Sequence, residues 1–135
     1  MARILIAEDD MFSRKVCFKL IDKMGHTPIC SPDGKHAYQT LLSDNSIDLL
    51  ITDIMMPEMD GRTLIKTLRG NSSFMKLPLI IMSAVVSIAE IDDLIKLGAD
   101  FFLPKPIDSK HLTEYVERCL KFNSNSNSLA VENHM

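Results

Sequence analysis

Cysteine is scarce in this 135-residue sequence, and no segment approaches the length and apolar character of a membrane-spanning helix. The three cysteines, Cys17, Cys30 and Cys119, are odd in number, far apart and without CxxC spacing. This pattern argues against a disulfide framework or a zinc site and favours reduced thiols in a core. Acidic residues follow the first apolar run too soon for a secretory signal. We therefore expect a cytoplasmic protein with no membrane partner.

The sequence also lacks a strong excess of one charge, because 15 lysines and arginines oppose 18 aspartates and glutamates. The basic residues are scattered, so no basic face is predicted for direct binding to nucleic acid. A hydrophobic fraction of 46% and this length fit one globular domain, and the nine methionines are interpreted as core filler. The Asn and Ser alternation after Phe122 predicts a folded domain over residues 1–122 and a disordered tail over 123–135.

The segment 49–61 is the centre of the pattern. Residues 49–51 form a continuous apolar run, typical of a strand buried on both faces, although such a run alone could also belong to a buried helix. Pro57 and Gly61 follow closely, break a helix and indicate a loop. Asp53 is therefore predicted at the carboxyl end of a strand, where ligands bind in an open parallel sheet.

Strand patterns alternate with helical patterns five times along the chain. The predicted strands cover residues 4–7, 27–30, 49–53, 79–82 and 100–103. Asp10, Asp33 and Ser87 are predicted helix N-caps, and Gly25 and Gly98 are predicted helix stops. Because strand–helix–strand crossovers are right-handed, the alternation predicts a doubly wound α/β fold: five parallel strands with helices on both faces.

Polar side chains follow four of these strands at one edge of the predicted sheet. Glu8 and Asp9 follow the first strand, Asp53 the third, Ser83 the fourth and Lys105 the fifth. Carboxylates about 5 Å apart would repel one another by roughly 3 kcal/mol per pair at an effective dielectric of about 20. A positive group must therefore lie among them, and Mg²⁺ is the hard, oxygen-seeking candidate.

These motifs resemble those of a known family, the receiver domain of two-component response regulators. The resemblance covers residues 3 to about 122 and rests on Glu8-Asp9, the Asp53 strand with its Met56-Pro57-x-Met59-Asp60-Gly61 turn, Ser83-Ala84, Gly98-Ala99-Asp100 and Lys105-Pro106. It implies the flavodoxin-like receiver fold with strand order 2-1-3-4-5. It also implies a cis bond between Lys105 and Pro106.

The resemblance implies a metal site as well. Mg²⁺ would be bound by Asp9, Asp53 and the backbone carbonyl of Met55, with Glu8 acting through water.

A phosphoryl-transfer function follows from the same resemblance. Asp53 would accept a phosphoryl group from the phosphohistidine of a sensor histidine kinase or a histidine phosphotransfer protein. Lys105 and the Ser83 hydroxyl would contact the phosphoryl oxygens. Ser83 and Phe102 would act as switch residues, so that residues 86–120 bind a downstream effector or a second receiver. Such a protein accepts and loses a phosphoryl group but is not a turnover enzyme.

The sequence pattern also leaves three alternative functions open. A flavodoxin-like FMN carrier shares the fold class, but the acids after the first strand would repel the flavin phosphate. A magnesium-dependent phosphatase with an aspartyl nucleophile resembles Asp-x-Asp, and Met55 occupies the second position here. A third alternative is a receiver-like binding module that acts without phosphorylation. Taken singly, Lys105 between two prolines would be a solvated loop residue.

Overall fold

The structure, a computed structural model, describes the backbone of residues 1–84 and 87–132, and the side chains of these residues as far as 121. Strands and helices alternate in the order β1 (Arg3–Ala7), α1 (Met11–Lys23), β2 (Thr27–Ser31), α2 (Gly34–Ser43), β3 (Leu49–Asp53), α3 (Gly61–Arg69), β4 (Leu79–Ser83), α4 (Ile88–Leu97), β5 (Phe101–Pro104) and α5 (Ser109–Glu132). The sequence pattern predicted each of these elements, and its largest difference from the structure is at the C-terminal end of α5.

The strands form one parallel sheet in the order β2-β1-β3-β4-β5. The doubly wound fold and the strand order implied by the resemblance are both confirmed. In the register, Asp53 lies opposite Met82 and Ser83 lies opposite Pro104. The carboxyl ends of the three strands β3, β4 and β5 therefore reach the same edge of the sheet.

The sheet separates two hydrophobic cores because successive strand residues point to opposite faces. In β1, Leu5 packs in one core with α2, α3 and α4, whereas Ile4 and Ile6 pack in the other with α1 and α5. Cys17 and Cys119 are buried in the second core, as the sequence predicted, and Cys30 is half-buried. Burial on both faces explains the continuous apolar runs of β3 (residues 49–51) and β4 (residues 79–82).

The predicted helix caps are present. The Asp10 and Asp33 carboxylates accept hydrogen bonds from the amides of Ser13 and His36, at 2.8 and 2.7 Å. These bonds satisfy amides that have no partner within their own helix. The Ser87 hydroxyl accepts in the same way from the Glu90 amide at the start of α4.

One expectation differs from the structure. The methionines are not all core filler: Met82 is buried, but Met11, Met55 and Met75 are 62%, 75% and 56% exposed. The backbone of α5 is helical through residues 123–132, and the predicted disorder of residues 123–135 stays a prediction. Residues 133–135 lie outside the described part of the chain, so the domain boundary at residue 122 stays a prediction. Within the described residues, no helix has the length and apolar character needed to cross a bilayer.

Arg69, the last residue of α3, joins four segments at the edge of the sheet opposite to Asp53. Its guanidinium group donates to the Gly98 carbonyl at 3.0 and 2.8 Å and to the Phe74 carbonyl at 2.8 Å. It also lies 3.4 Å from the Asp100 carboxylate, which itself accepts from the Leu79 amide. The cationic side chain therefore satisfies the carbonyl at the C-terminal end of α4, where a positive charge is favourable.

Replacing Arg69 by Met should remove these bonds while retaining the packing of the side-chain stem. Because charged donors would be lost from half-buried carbonyl groups, we expect the free energy of unfolding to fall by about 2–3 kcal/mol. Denaturant unfolding measures this change. Lys66→Met, an exposed change on the same helix, should stay within about 0.5 kcal/mol of the native protein. Equal stability of the two variants would contradict the role given to Arg69.

Candidate functional site

Three carboxylates meet at the carboxyl edge of the sheet. Glu8 and Asp9 follow β1, and Asp53 ends β3, so parallel pairing of these strands brings them together. One carboxylate oxygen from each residue lies within 4.8 Å of the other two. Glu8 and Asp53 are buried and Asp9 is exposed. Of the three acids, Asp9 alone is exposed, so solvent reaches the cluster from the side of Asp9.

Lys105 brings a positive charge into this cluster. Its Nζ donates to Asp53 Oδ2 at 2.6 Å and also to Glu8 Oε1. The side chain is 16% exposed. Burial on its own lowers the pKa of Lys105, but the hydrogen bonds to Asp53 and Glu8 outweigh it and raise that pKa above its ordinary value. The ammonium group therefore stays charged and offsets the repulsion between the two carboxylates.

The Glu8 side chain is fully buried in this cluster. Burial raises the pKa of its carboxyl group to about 7, against the opposing hydrogen bonds from Lys105 and from the Asp10 amide. The Arg14 guanidinium donates to the Glu8 carbonyl at 3.1 Å, a contact that sequence reasoning missed because no spacing rule links the two residues. Asp10 was expected only to cap α1, and it does so while its amide also orients Glu8.

Asp53 has its two carboxylate oxygens in different surroundings. Oδ1 accepts from the Ile54 amide at 2.6 Å and from the Met55 amide at 3.4 Å. Oδ2 faces Lys105 instead. The preceding Thr52 hydroxyl donates to the Asp53 carbonyl at 2.9 Å. One oxygen is thus fixed by the loop backbone, and the other points into the charged cluster.

The remaining predicted site residues lie on β4 (Ser83), on β5 (Phe102) and in the loop that follows β3 (Met55). The Ser83 carbonyl accepts from the Lys105 amide at 2.9 Å, so the end of β4 positions the lysine, and the bond between Lys105 and Pro106 is cis as expected. Phe102 is half-buried and packs against the core beneath α3 and α4. The Met55 side chain is exposed beside Asp53. The segment 86–120 is described from Ser87 onward, and residue 86 lies outside the described residues.

Oxygen donors alone make up the cluster of Glu8, Asp9 and Asp53, and this is the donor chemistry that Mg²⁺ prefers. The spacing of these oxygens also suits binding to one ion. The residues present therefore fit a magnesium site.

The sequence profile of the response regulator receiver domain matches residues 4–117. This chain belongs to that family. Receiver domains are signalling domains of two-component systems, which agrees with a charged pocket at the end of a doubly wound sheet. The resemblance inferred from the motifs is confirmed.

Individual relatives support the same assignment. The transcriptional regulatory protein CpxR of Escherichia coli (strain K12) is 34% identical over 123 residues, which are 90% of this chain and 50% of CpxR. The 3',5'-cyclic-nucleotide phosphodiesterase regA of Dictyostelium discoideum is 31% identical over 88% of this chain and 15% of that protein. This chain thus spans half or less of the length of these two relatives. A Francisella response regulator receiver domain superposes with a TM-score of 0.84 at 29% identity, covering 91% of this chain and 99% of that one.

Lys105→Met should separate the structural role of the lysine from its charge. Without the ammonium group, the buried Glu8 and Asp53 carboxylates repel each other, so we expect the free energy of unfolding in metal-free buffer to fall by about 3 kcal/mol. Added Mg²⁺ should raise the melting temperature of this variant more than that of the native receiver, because one competing positive charge is gone.

Thermal unfolding with a chelator and with excess Mg²⁺ provides the measurement. Lys110→Met removes an exposed positive charge on α5 and serves as the control. Equal effects of Mg²⁺ on the two variants would show that Lys105 does not compete with a cation in the pocket.

Proposed function

We propose that this receiver is a phosphoacceptor that takes a phosphoryl group on Asp53 in a Mg²⁺-dependent reaction. The observation that carries the proposal is the position of the Asp53 carboxylate, with one oxygen held by backbone amides and the other facing Lys105, beside Glu8 and Asp9. A buried carboxylate that is held by backbone amides and faces a fixed cation is oriented for attack on an electrophile.

The reaction exchanges one bond for another. An oxygen of Asp53 forms a bond to phosphorus while the bond between phosphorus and the imidazole nitrogen of a phosphohistidine breaks, and the imidazole leaves with the electron pair. Lys105 then turns from Asp53 to a phosphoryl oxygen, and the Ser83 hydroxyl binds another. Both residues already lie at the correct edge of the sheet.

Mg²⁺ would be held by Asp9, Asp53 and the Met55 backbone carbonyl, with Glu8 acting through water. When bound, the ion supplies positive charge that stabilises the transferring oxygens. The protein itself contributes the preorganised carboxylates, since Glu8 is held by Lys105 and by the Asp10 amide before any ligand arrives.

The proposed phosphoryl donor is a sensor histidine kinase or a histidine phosphotransfer protein in the cytoplasm. The three unpaired cysteines suit a reducing compartment. The relatives named above include a transcriptional regulator and a phosphodiesterase, so membership of the family leaves the downstream output open. We propose no turnover activity, because the position two residues after Asp53, where an aspartyl phosphatase has its acid, is Met55.

The face formed by α4, β5 and α5 is the proposed output surface. Ser83 and Phe102 lie on neighbouring strands that connect the pocket to this face. The structure describes every residue of α4, and Leu94 alone among them is buried. This helix is therefore loosely packed. Ile88 is 87% exposed there. A weakly packed helix with exposed apolar side chains is suited to change its position and to bind a partner by apolar contact.

Acetyl phosphate with Mg²⁺ should phosphorylate the native protein at one site, and Asp53→Asn should abolish the reaction. Mass spectrometry detects the adduct, and hydroxylamine removes an acyl phosphate. Asp60→Asn is the matched control: Asp60 caps α3, and asparagine caps helices equally well, so this variant should be phosphorylated normally. A hydroxylamine-sensitive adduct on Asp53→Asn would overturn the assignment.

Beryllofluoride with Mg²⁺, a mimic of the phosphoryl group, should shift the amide resonances of α4, β5 and α5 as well as those of the pocket. The expected shifts extend to residues 88–97, which are linked to the pocket through Ser83 and Phe102. NMR spectra with and without the mimic test this. Shifts confined to the pocket and α1 would contradict the proposed output surface, and an unchanged spectrum would favour a module that acts without phosphorylation.

A further inference from the structure

The N-terminal end of α2 is in direct backbone contact with the loop that follows Asp53. Gly34, the first residue of α2, is buried. A β-carbon at this position would lie 2.1 Å from the Met59 carbonyl oxygen and 2.9 Å from its carbonyl carbon. Neither atom can move independently of the chain, so no side chain fits between the helix and the loop.

The loop itself has little freedom to adapt. A β-carbon on Gly61 would lie 2.3 Å from the Asp53 carbonyl oxygen, and the Gly61 amide donates to the Ile54 carbonyl at 2.8 Å. Glu58 adopts a φ of 67°, and the Met59 amide donates to the Pro57 carbonyl at 2.7 Å. A displacement at Met59 is therefore transmitted to the start of the loop, where Asp53 lies.

The same end of α2 also supports the opposite side of the pocket. The buried Ser31 hydroxyl lies 2.8 Å from His36 Nδ1, at the end of β2. The Ser31 carbonyl accepts from the Glu8 amide at 3.0 Å. The first turn of α2 thus contacts the Asp53 loop through Gly34 and is linked to Glu8 through His36 and Ser31.

We propose that Gly34 and His36 are positioning residues that fix the distance between the two halves of the acidic pocket. One half is Glu8 with Asp9, and the other is Asp53 with its loop. This inference rests on the proposed function, because the distance matters only if both halves bind the same ion. Mg²⁺ demands a near-ideal geometry and short bonds to oxygen, so a small displacement of one half weakens binding more than it weakens the fold.

Gly34→Ala provides the direct test. The added methyl group must push the loop away from α2, and we expect the affinity for Mg²⁺ to fall at least tenfold, the usual effect of disturbing groups that orient metal ligands. Mg²⁺ titration followed by NMR gives both this affinity and the amide shifts of residues 54–61 in the metal-free protein. Gly70→Ala is the control, since the only atoms within 4 Å of its methyl group would be two carbonyl oxygens of the preceding helix α3, the nearer at 3.3 Å.

His36→Ala keeps the proposal testable if Gly34→Ala fails to fold. It should shift the Glu8 and Asp9 amides and weaken Mg²⁺ binding several-fold, whereas Gln39→Ala, an exposed change on the same helix, should do neither. Met59→Ala combined with Gly34→Ala should not restore affinity, because the two closest atoms belong to the backbone. If the double variant regained native affinity for Mg²⁺, the loss in Gly34→Ala would come from a clash with the Met59 side chain and not with the loop backbone.

The inference is overturned if Gly34→Ala or His36→Ala folds and binds Mg²⁺ with native affinity, or if Gly70→Ala and Gln39→Ala weaken binding as much. Failure of the proposed function has a different signature. A native protein that binds no Mg²⁺ would refute the metal site, while shifts of residues 54–61 in metal-free Gly34→Ala would still report the contact between α2 and the loop.

Discussion

Repulsion between buried carboxylates is the constraint on which this structure depends. Three acids gathered at the end of a sheet would push β1 and β3 apart unless a cation lay among them. Lys105 supplies that cation from the other side of β4, and the Ser83 carbonyl holds its backbone in place. A lysine is suited to the task because its ammonium is a point charge on a flexible stem, able to exchange one acidic partner for another. The ion pair that stabilises the resting pocket therefore uses the group proposed to contact the phosphoryl oxygens.

The fold could be predicted well because the residues that define its strands and helices are close together in the sequence. Continuous apolar strands, helix caps such as Asp33 and stops such as Gly98 depend on neighbours along the chain, and each has its expected structure. The pocket could be inferred because parallel strands end at the same edge. Tertiary contacts were beyond such reasoning. Nothing local indicates that Arg69 reaches Gly98 across 29 positions, or that Gly34 touches Met59. Exposure of Met11 and Met55 was missed because methionine has the same hydropathy in a core and at a surface.

The carboxyl and amino edges of the sheet carry different kinds of interaction. Buried charge, a perturbed Glu8 and backbone amides aimed at Asp53 are concentrated at the carboxyl edge. At the amino edge, Arg69 and Asp100 connect helices to strands through hydrogen bonds to backbone groups. The buried charges of the pocket and the hydrogen bonds of Arg69 thus lie at opposite ends of the strands.

The attachment of α4 has a mechanical consequence. The helix is fixed at its C-terminal end by Arg69, whereas its N-terminal end lies toward the pocket and buries little. Ten residues of α-helix span about 15 Å at a rise of about 1.5 Å per residue. A rotation of roughly 10° about the fixed end would carry the other end through about 2.6 Å, given that length. The C-terminal end of α4 at Gly98 would act as the hinge of such a rotation. A displacement of less than about 1 Å near Gly98 would then accompany a displacement of about 2.6 Å at Ile88.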